Sequence, residues 1–178
     1  MLEPFQRDVL IWDCSRGKAA NFLHTGLGKG FIQLEWCRLV SEYTRKRTLI
    51  AAPLAGAEQF KIEAGKFGVP VTLCESFDDC NTGINVTNYD RLDKFPLEHF
   101  GGVALDESSC IKDFTSQTTK DLITRLKNTP FKLCSTATPS PNDHAELGTH
   151  AELLDVMQRS QMLAMFFEHD GGETSKWK

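Results

Sequence analysis

The sequence predicts an α/β domain of three layers, in which a mainly parallel sheet carries helices on both faces. Apolar runs of strand length, such as "TLIAAP" and "GGVALDE", alternate with longer amphipathic stretches. A glycine-rich loop, "HTGLGKG", stands between one strand-like run and the helix-like segment after it. Other apolar runs stop at polar or acidic residues, as "GGVALDE" stops at Asp106 and Glu107. In folds of this class, ligands sit at the carboxyl ends of the strands, so those terminal residues are the ones to examine.

Taken in order, Pro4 followed by Val9, Leu10 and Trp12 predicts a short opening helix with Gly17 as its stop. "KAANFLH" reads as a strand, and the glycine loop follows it. Phe31, Ile32, Leu34, Trp36, Leu39, Val40 and Tyr43 then recur near helical spacing, and Arg45, Lys46 and Arg47 close that helix favourably for its dipole. "TLIAAP" is a strand ended by proline, and "LAGAEQFKIEAGKFG" an amphipathic helix stopped by glycine. Further strands are expected at "PVTLC", "INVTN", "GGVALDE" and "FKLCSTA", with helices over 88–94, 116–127, 143–157 and 159–167. The expected domain is 1–168, and the polar tail 169–178 reads as a connector cut short.

With 178 residues, 40% hydrophobic and 25% charged, the chain fits one globular domain able to bury a core. A net charge of −4 advertises no broad electrostatic grip on nucleic acid, while leaving room for a local basic face. The six cysteines, at 14, 37, 74, 80, 110 and 134, form no C-x-x-C pair and mostly lie in apolar runs. They read as buried free thiols rather than a zinc site or disulfide framework, which points to a reducing cytoplasm. The N-terminus lacks the apolar core of a leader, and no apolar stretch approaches membrane-spanning length. No membrane partner is expected.

Three strand-end segments carry the candidate chemistry. In "TGLGKG", Thr25, Gly26, Leu27, Gly28, Lys29 and Gly30 are placed as a phosphate loop requires. Glycines let backbone N–H groups turn toward phosphate oxygens, the helix N-terminus adds positive potential, and Lys29 supplies a point charge. The pattern G-x-x-x-x-G-K-[ST] is met in part, since Leu23 and Gly30 hold its first and last positions. Asp106 and Glu107 suit a magnesium-bound triphosphate, one carboxylate addressing the metal through water and the other acting on the attacking water. Ser135, Thr136, Ala137 and Thr138 follow the next strand, where hydroxyls are able to reach the acidic pair. Each segment has a plainer reading: a glycine turn with a solvated lysine, an acidic helix cap, a polar turn.

The order of lysine loop, Asp-Glu and Ser-Thr-Ala-Thr resembles the first motor domain of superfamily-two helicases of the DEAD/DEAH-box and SWI/SNF-like group. More closely, the chain is similar to the amino-terminal part of phage and prophage DEAD-like helicases. "FQRDVL", "TGLGKG", "APLA", "VTNYDRLDKF", "LDESS", "TATPSPNDHAELG" and "FFEHDGGETSKW" fall in that family's order. The resemblance implies a RecA-like P-loop domain that uses ATP and Mg2+. It assigns Phe5 and Gln6 to adenine, Thr25 to Gly30 to the phosphates, Lys29, Asp106 and Glu107 to catalysis with Asp106 organising the metal, and Ser135 to Thr138 to coupling. Pro53 and Leu54, with Thr87, Asn88 and Tyr89, match segments that touch a nucleic-acid backbone, and such contacts carry little sequence specificity. It also implies a nucleic-acid partner, DNA favoured over RNA, and a second RecA-like domain that this chain lacks.

Two departures qualify it. The acidic motif reads "DESS", which keeps Asp106 and Glu107. Gly30 stands where the family places a threonine hydroxyl on magnesium, and glycine also loosens the first helical turn. The reading is therefore an ATP-binding motor domain of a nucleic-acid-dependent ATPase, with hydrolysis impaired by Gly30 and by the missing second domain. The alternative is a catalytically silent nucleotide-binding or interaction module on the same fold. A small-molecule kinase is a weaker rival, having no evident arginine-rich lid.

Overall fold

Pro4 opens α1 (Pro4–Arg16), where its fixed φ suits a first helical turn and its missing N–H has no partner to lose. The backbone N–H of Glu3 donates to Gln6 Oε1 at 2.9 Å, and Gly17 at φ 70° ends the helix. The computed structural model describes residues 2–111, 116–141, 143–168 and 176–177. The chain continues through β1 (Lys18–Asn21), α2 (Lys29–Thr44), β2 (Thr48–Ala52), α3 (Leu54–Phe67), β3 (Val71–Leu73), β4 (Ile84–Asn88) and β5 (Gly102–Asp106). It ends with α4 (Gln117–Leu126), β6 (Phe131–Ser135), α5 (Leu147–Leu153), α6 (Arg159–Phe166), β7 (Phe167–Glu168) and β8 (Lys176–Trp177).

Six strands form one sheet in the order β1-β6-β5-β2-β4-β3, and every pairing in it is parallel. Central strands of such a sheet need apolar residues on both faces, and all five residues of β2 are buried. Ile50 and Ala52 pack on one side with Leu10, Ile32, Trp36, Val40 and Phe60 of α1, α2 and α3. Leu49 and Ala51 pack on the other with Leu122, Leu126 and Leu153 of α4 and α5, and with Phe95, Leu97 and Phe100. The three-layer α/β expectation is met, with two cores separated by the sheet. β7 and β8 pair antiparallel as a separate small sheet. Of the expected connector, 169–175 and 178 lie outside the described residues.

Three elements differ from the sequence expectation. β1 stops at Asn21 instead of running through His24, because its partner β6 ends opposite it at Ser135 and the chain leaves the sheet to start the glycine loop. The segment over 88–94 is a 3-10 turn, Tyr89–Lys94. Leu92 within it and Phe95 just after it are both buried and three apart, matching three residues per turn. The helix expected over 143–157 is divided into a 3-10 turn at His144–Glu146 and α5, which ends before Asp155. Asp155 takes a left-handed φ of 56° and accepts from Lys132 Nζ at 2.8 Å and Lys18 Nζ at 2.7 Å. Lys132 is buried, and this carboxylate together with the Leu153 carbonyl, 2.9 Å away, receives its ammonium.

Candidate functional site

The parallel register gathers the strand ends. Ser135 of β6 lies between Asn21 of β1 and Asp106 of β5, and Ala52 of β2 faces Asn88 of β4. One edge thus holds the terminal residue of the loop-bearing strand, the acidic strand and the hydroxyl-rich strand.

Between β1 and α2 the loop turns on Gly26 (φ 88°) and Gly28 (φ 77°), conformations that a side chain makes costly. Gly28 is also the N-cap of α2, with no side chain capping the helix. The first N–H groups of α2 therefore lack a side-chain acceptor of the usual kind. A Cβ on Gly28 would collide with Gln6 Nε2, which donates to Leu27 O at 3.0 Å. Gln6, expected at an adenine, thus braces the phosphate-type loop from α1, while Phe5 beside it is exposed. Thr25 and Leu27 are exposed at the loop tip. Lys29 is buried, donates from Nζ to Leu23 O at 3.2 Å, and lies 4.0 Å from Glu107 Oε1. A concavity bounded by Gly26, Gly28, Lys29, Gly30, Asp106 and the α3 residues Gly56, Gln59 and Glu63 opens in front of it.

Asp106 is held by two hydrogen bonds, with Gly56 of α3 beside it. Gln33 Nε2 donates to its Oδ1 at 2.7 Å, Tyr89 Oη donates to its backbone carbonyl at 2.8 Å, and a Cβ on Gly56 would come 3.7 Å from its Oδ2. Burial pushes the Asp106 carboxyl above the ordinary carboxylate range, against the pull of the Gln33 hydrogen bond. Glu107 follows with a left-handed φ of 46°, a strained state for a side-chain-bearing residue and one that concentrates at functional positions. Thr136 Oγ1 donates to Glu107 Oε2 at 3.2 Å and accepts from Thr138 N at 3.1 Å. The Thr136 N–H donates to Asn21 O at 3.3 Å. Thr136 therefore links the acidic pair to the strand that launches the loop. Ser135 is buried, with its Oγ unpartnered among the described residues. Ala137 is half-buried, and Thr138 is exposed.

The residues expected at nucleic acid divide. Pro53 is the N-cap of α3 and Leu54 is exposed at its start. Thr87 and Asn88 are buried; the Thr87 hydroxyl donates to Cys74 O at 2.9 Å. Tyr89 commits its hydroxyl to Asp106. What these three offer outward is backbone and ring, and Tyr89 ties this strand end to the acidic pair. The groove beside Pro53, Leu54 and Tyr89 also carries Asp90, Asp93 and Asp121, so it is not a basic surface.

Gln33 was not identified from the sequence. Its signal was a glutamine one helical turn after Lys29, on the same face of α2, within the otherwise apolar "FIQLEW". Ser108, two residues after Asp106, forms a second polar pair, with His150. They are buried, 42 residues apart, and hydrogen-bonded at 2.9 Å, and burial lowers His150 to about 4, so it is neutral.

Beneath the loop, Asn21 Nδ2 donates to Asp13 Oδ2 at 3.1 Å, and burial lifts the Asp13 carboxyl to about 6. The folded protein holds this proton more tightly than the unfolded chain does. Stability contributed by the group is therefore present at low pH and is lost as pH rises toward about 6. Asp13→Asn is expected to raise the melting temperature at about pH 7.5 and to lose that advantage at about pH 4.5, measured by thermal denaturation across pH. An amide at position 13 also supplies a donor where Asp13 Oδ1 and Asn21 Oδ1 lie buried and unpartnered among the described residues.

No family model and no curated protein matches the chain. Among solved structures, the Sulfolobus solfataricus SWI2/SNF2 ATPase core in complex with dsDNA matches with a TM-score of 0.74 at 19% identity, over 93% of this chain and 39% of that one. The chain has the RecA-like fold of helicase ATPase cores. The UvsW helicase from bacteriophage T4 matches the same RecA-like domain with a TM-score of 0.69 at 18% identity, over 86% of this chain and 57% of that one. Identities at this level speak for the fold alone, and the RecA-like domain spans less than two thirds of either neighbour.

The edge of this RecA-like domain suits a magnesium-bound phosphate chain by its chemistry. It offers glycine backbone, one buried lysine and carboxylate oxygens, with Asp106 Oδ2 on the side facing Gly56. Gln33 Oε1 remains a buried acceptor without a partner among the described residues. Among those residues, no three His, Cys, Asp or Glu side chains converge into a closed metal cluster. Magnesium takes one or two carboxylates and keeps waters, so it requires no such cluster.

Proposed function

We propose that this RecA-like domain binds ATP with Mg2+ and serves as the motor domain of a nucleic-acid-dependent ATPase, of the phage DEAD-like helicase type and acting in the cytoplasm. The observation that carries the reading is the convergence of Lys29 and Asp106 on one glycine-lined concavity, with Glu107 Oε1 4.0 Å from the Lys29 ammonium. Lys29 and the leading N–H groups of α2 hold the outer phosphates. Magnesium, when bound, would supply Lewis-acid polarisation of the transferred phosphoryl group. Asp106, oriented by Gln33, is the carboxylate that would hold the ion, directly or through water. Glu107 accepts the proton of the attacking water, and its strained backbone with the Thr136 hydrogen bond sets its direction. Thr136 and Tyr89 carry the state of the site to the hydroxyl-rich segment and to the strand end near Pro53 and Leu54.

Hydrolysis in this reading needs a second RecA-like domain across the cleft, as implied by the family resemblance, to supply transition-state charge. A DNA track is preferred to RNA, on the analogy of the neighbour bound to dsDNA. One observation favours the alternative of a catalytically silent module: Gly30, where a metal-facing hydroxyl would be expected. Binding of fluorescent single- and double-stranded DNA, followed by anisotropy with and without Mg-ATP, tests the motor reading. Affinity that changes with nucleotide supports it. DNA binding indifferent to nucleotide, in a chain that does bind nucleotide, favours the silent module.

A further inference from the structure

Gly30 leaves no hole. It is the second residue of α2, and a Cβ built there would collide with Glu63 Oε2 and come 3.3 Å from the Glu63 carboxyl carbon. The Glu63 carboxylate, projecting from the second half of α3, thus occupies the space that a side chain at position 30 would fill. Its other oxygen, Oε1, accepts from Gln59 Nε2 at 3.1 Å, one turn earlier on α3. Glu63, Gly30, Lys29 and Asp106 border the same concavity. At the near end of α3, Gly56 lies beside Asp106 Oδ2, where even a Cβ would make an ordinary contact at 3.7 Å. α3 therefore lies along the loop, with its glycine against one carboxylate and its own carboxylate against the glycine of α2.

A hydroxyl at position 30 would give a metal one neutral oxygen. A carboxylate in that place gives a charged one, a harder and stronger ligand for magnesium, directly or through water. It also has a cost that a hydroxyl lacks, because an anion facing the phosphates repels them when no cation lies between. Lys29 is the cation of this loop, and a second anion beside Asp106 leaves the site short of positive charge until the metal arrives.

We propose that Glu63 takes the magnesium-facing position vacated at Gly30, so that metal and nucleotide enter this site together. The inference rests on the nucleotide-binding reading above and deepens it. Gly30 is then half of a matched pair and not a defect in the loop.

The test is equilibrium binding of a fluorescent ADP analogue, with and without Mg2+, to wild type, Glu63→Gln, Gly30→Thr and the double variant. Glu58→Gln, elsewhere on α3, serves as control, and Mn2+ uptake with ADP is followed by electron paramagnetic resonance. Glutamine keeps the shape and the Gln59 contact available, and Glu63 is half-buried, so the fold should tolerate the change. In wild type, Mg2+ is expected to tighten binding strongly. In Glu63→Gln, the ratio of affinities with and without Mg2+ should fall by about tenfold or more, with weaker Mn2+ uptake and stronger metal-free binding. Adding Gly30→Thr to Glu63→Gln should restore metal dependence through the hydroxyl, once the flexible, now uncharged side chain at position 63 swings aside to admit the threonine. An unchanged ratio in Glu63→Gln overturns the inference and leaves nucleotide binding intact. Absence of nucleotide binding in every variant overturns the underlying reading and the inference with it.

Discussion

Lys29→Ala is expected to weaken ATP binding by about 100-fold, the loss that follows from removing a charge-assisted contact worth about 1.5–3 kcal/mol. The size of the effect comes from where the lysine is held. Its side chain is only 9% exposed, and its Nζ is fixed between the Leu23 carbonyl and Glu107, so it enters the site already desolvated and oriented. An exposed lysine on a solvated turn would contribute far less, because water screens it. Isothermal titration of both proteins checks the expectation, with circular dichroism confirming that the variant folds. Equal affinity would remove the loop from the nucleotide site.

Glu107→Gln is expected to keep nucleotide binding and to lower hydrolysis by about 10²–10⁴, the usual contribution of a positioned general base. The amide retains the shape of the side chain and a carbonyl oxygen able to accept from Thr136, so the left-handed backbone at this position is not relieved. Single-turnover ATP hydrolysis, measured with a second RecA-like domain supplied, is the appropriate readout. Turnover equal to wild type would take Glu107 out of the chemistry. Tighter binding without turnover would mark it as a base whose charge opposes the phosphates in the ground state.

The central strands were legible because a sheet covered on both faces demands unbroken apolar runs, and "TLIAA" and "GVALD" are such runs. Gly17 and Gly68 marked helix ends through the positive φ that each adopts. Strand order was not legible, since each run is apolar enough to pair with any other, and only packing of the crossovers decides which strands meet. The candidate site followed the same division. Asp106, Glu107 and Thr136 stand at strand ends and Lys29 opens the helix after the glycine loop, where position along the chain already indicates the edge. Gln33 and Glu63 project from helix faces, and what they meet depends on which helix lies against which strand end. Gly30 shows this most clearly: in sequence it is a missing hydroxyl, while in three dimensions a carboxylate 33 residues away fills its place.

Thr87 and Tyr89 show that position at a strand end does not determine where a side chain's polar group goes. Their hydroxyls donate to the carbonyls of Cys74 and Asp106.

Calorimetric titration of ATP into the wild-type chain, with and without magnesium, is the measurement that bears most directly on the nucleotide site. Saturable binding at one site per chain, markedly tighter with magnesium, is the expected result. No binding under either condition, or binding indifferent to the metal, would contradict a magnesium-nucleotide site built from Lys29, Asp106 and the glycine loop.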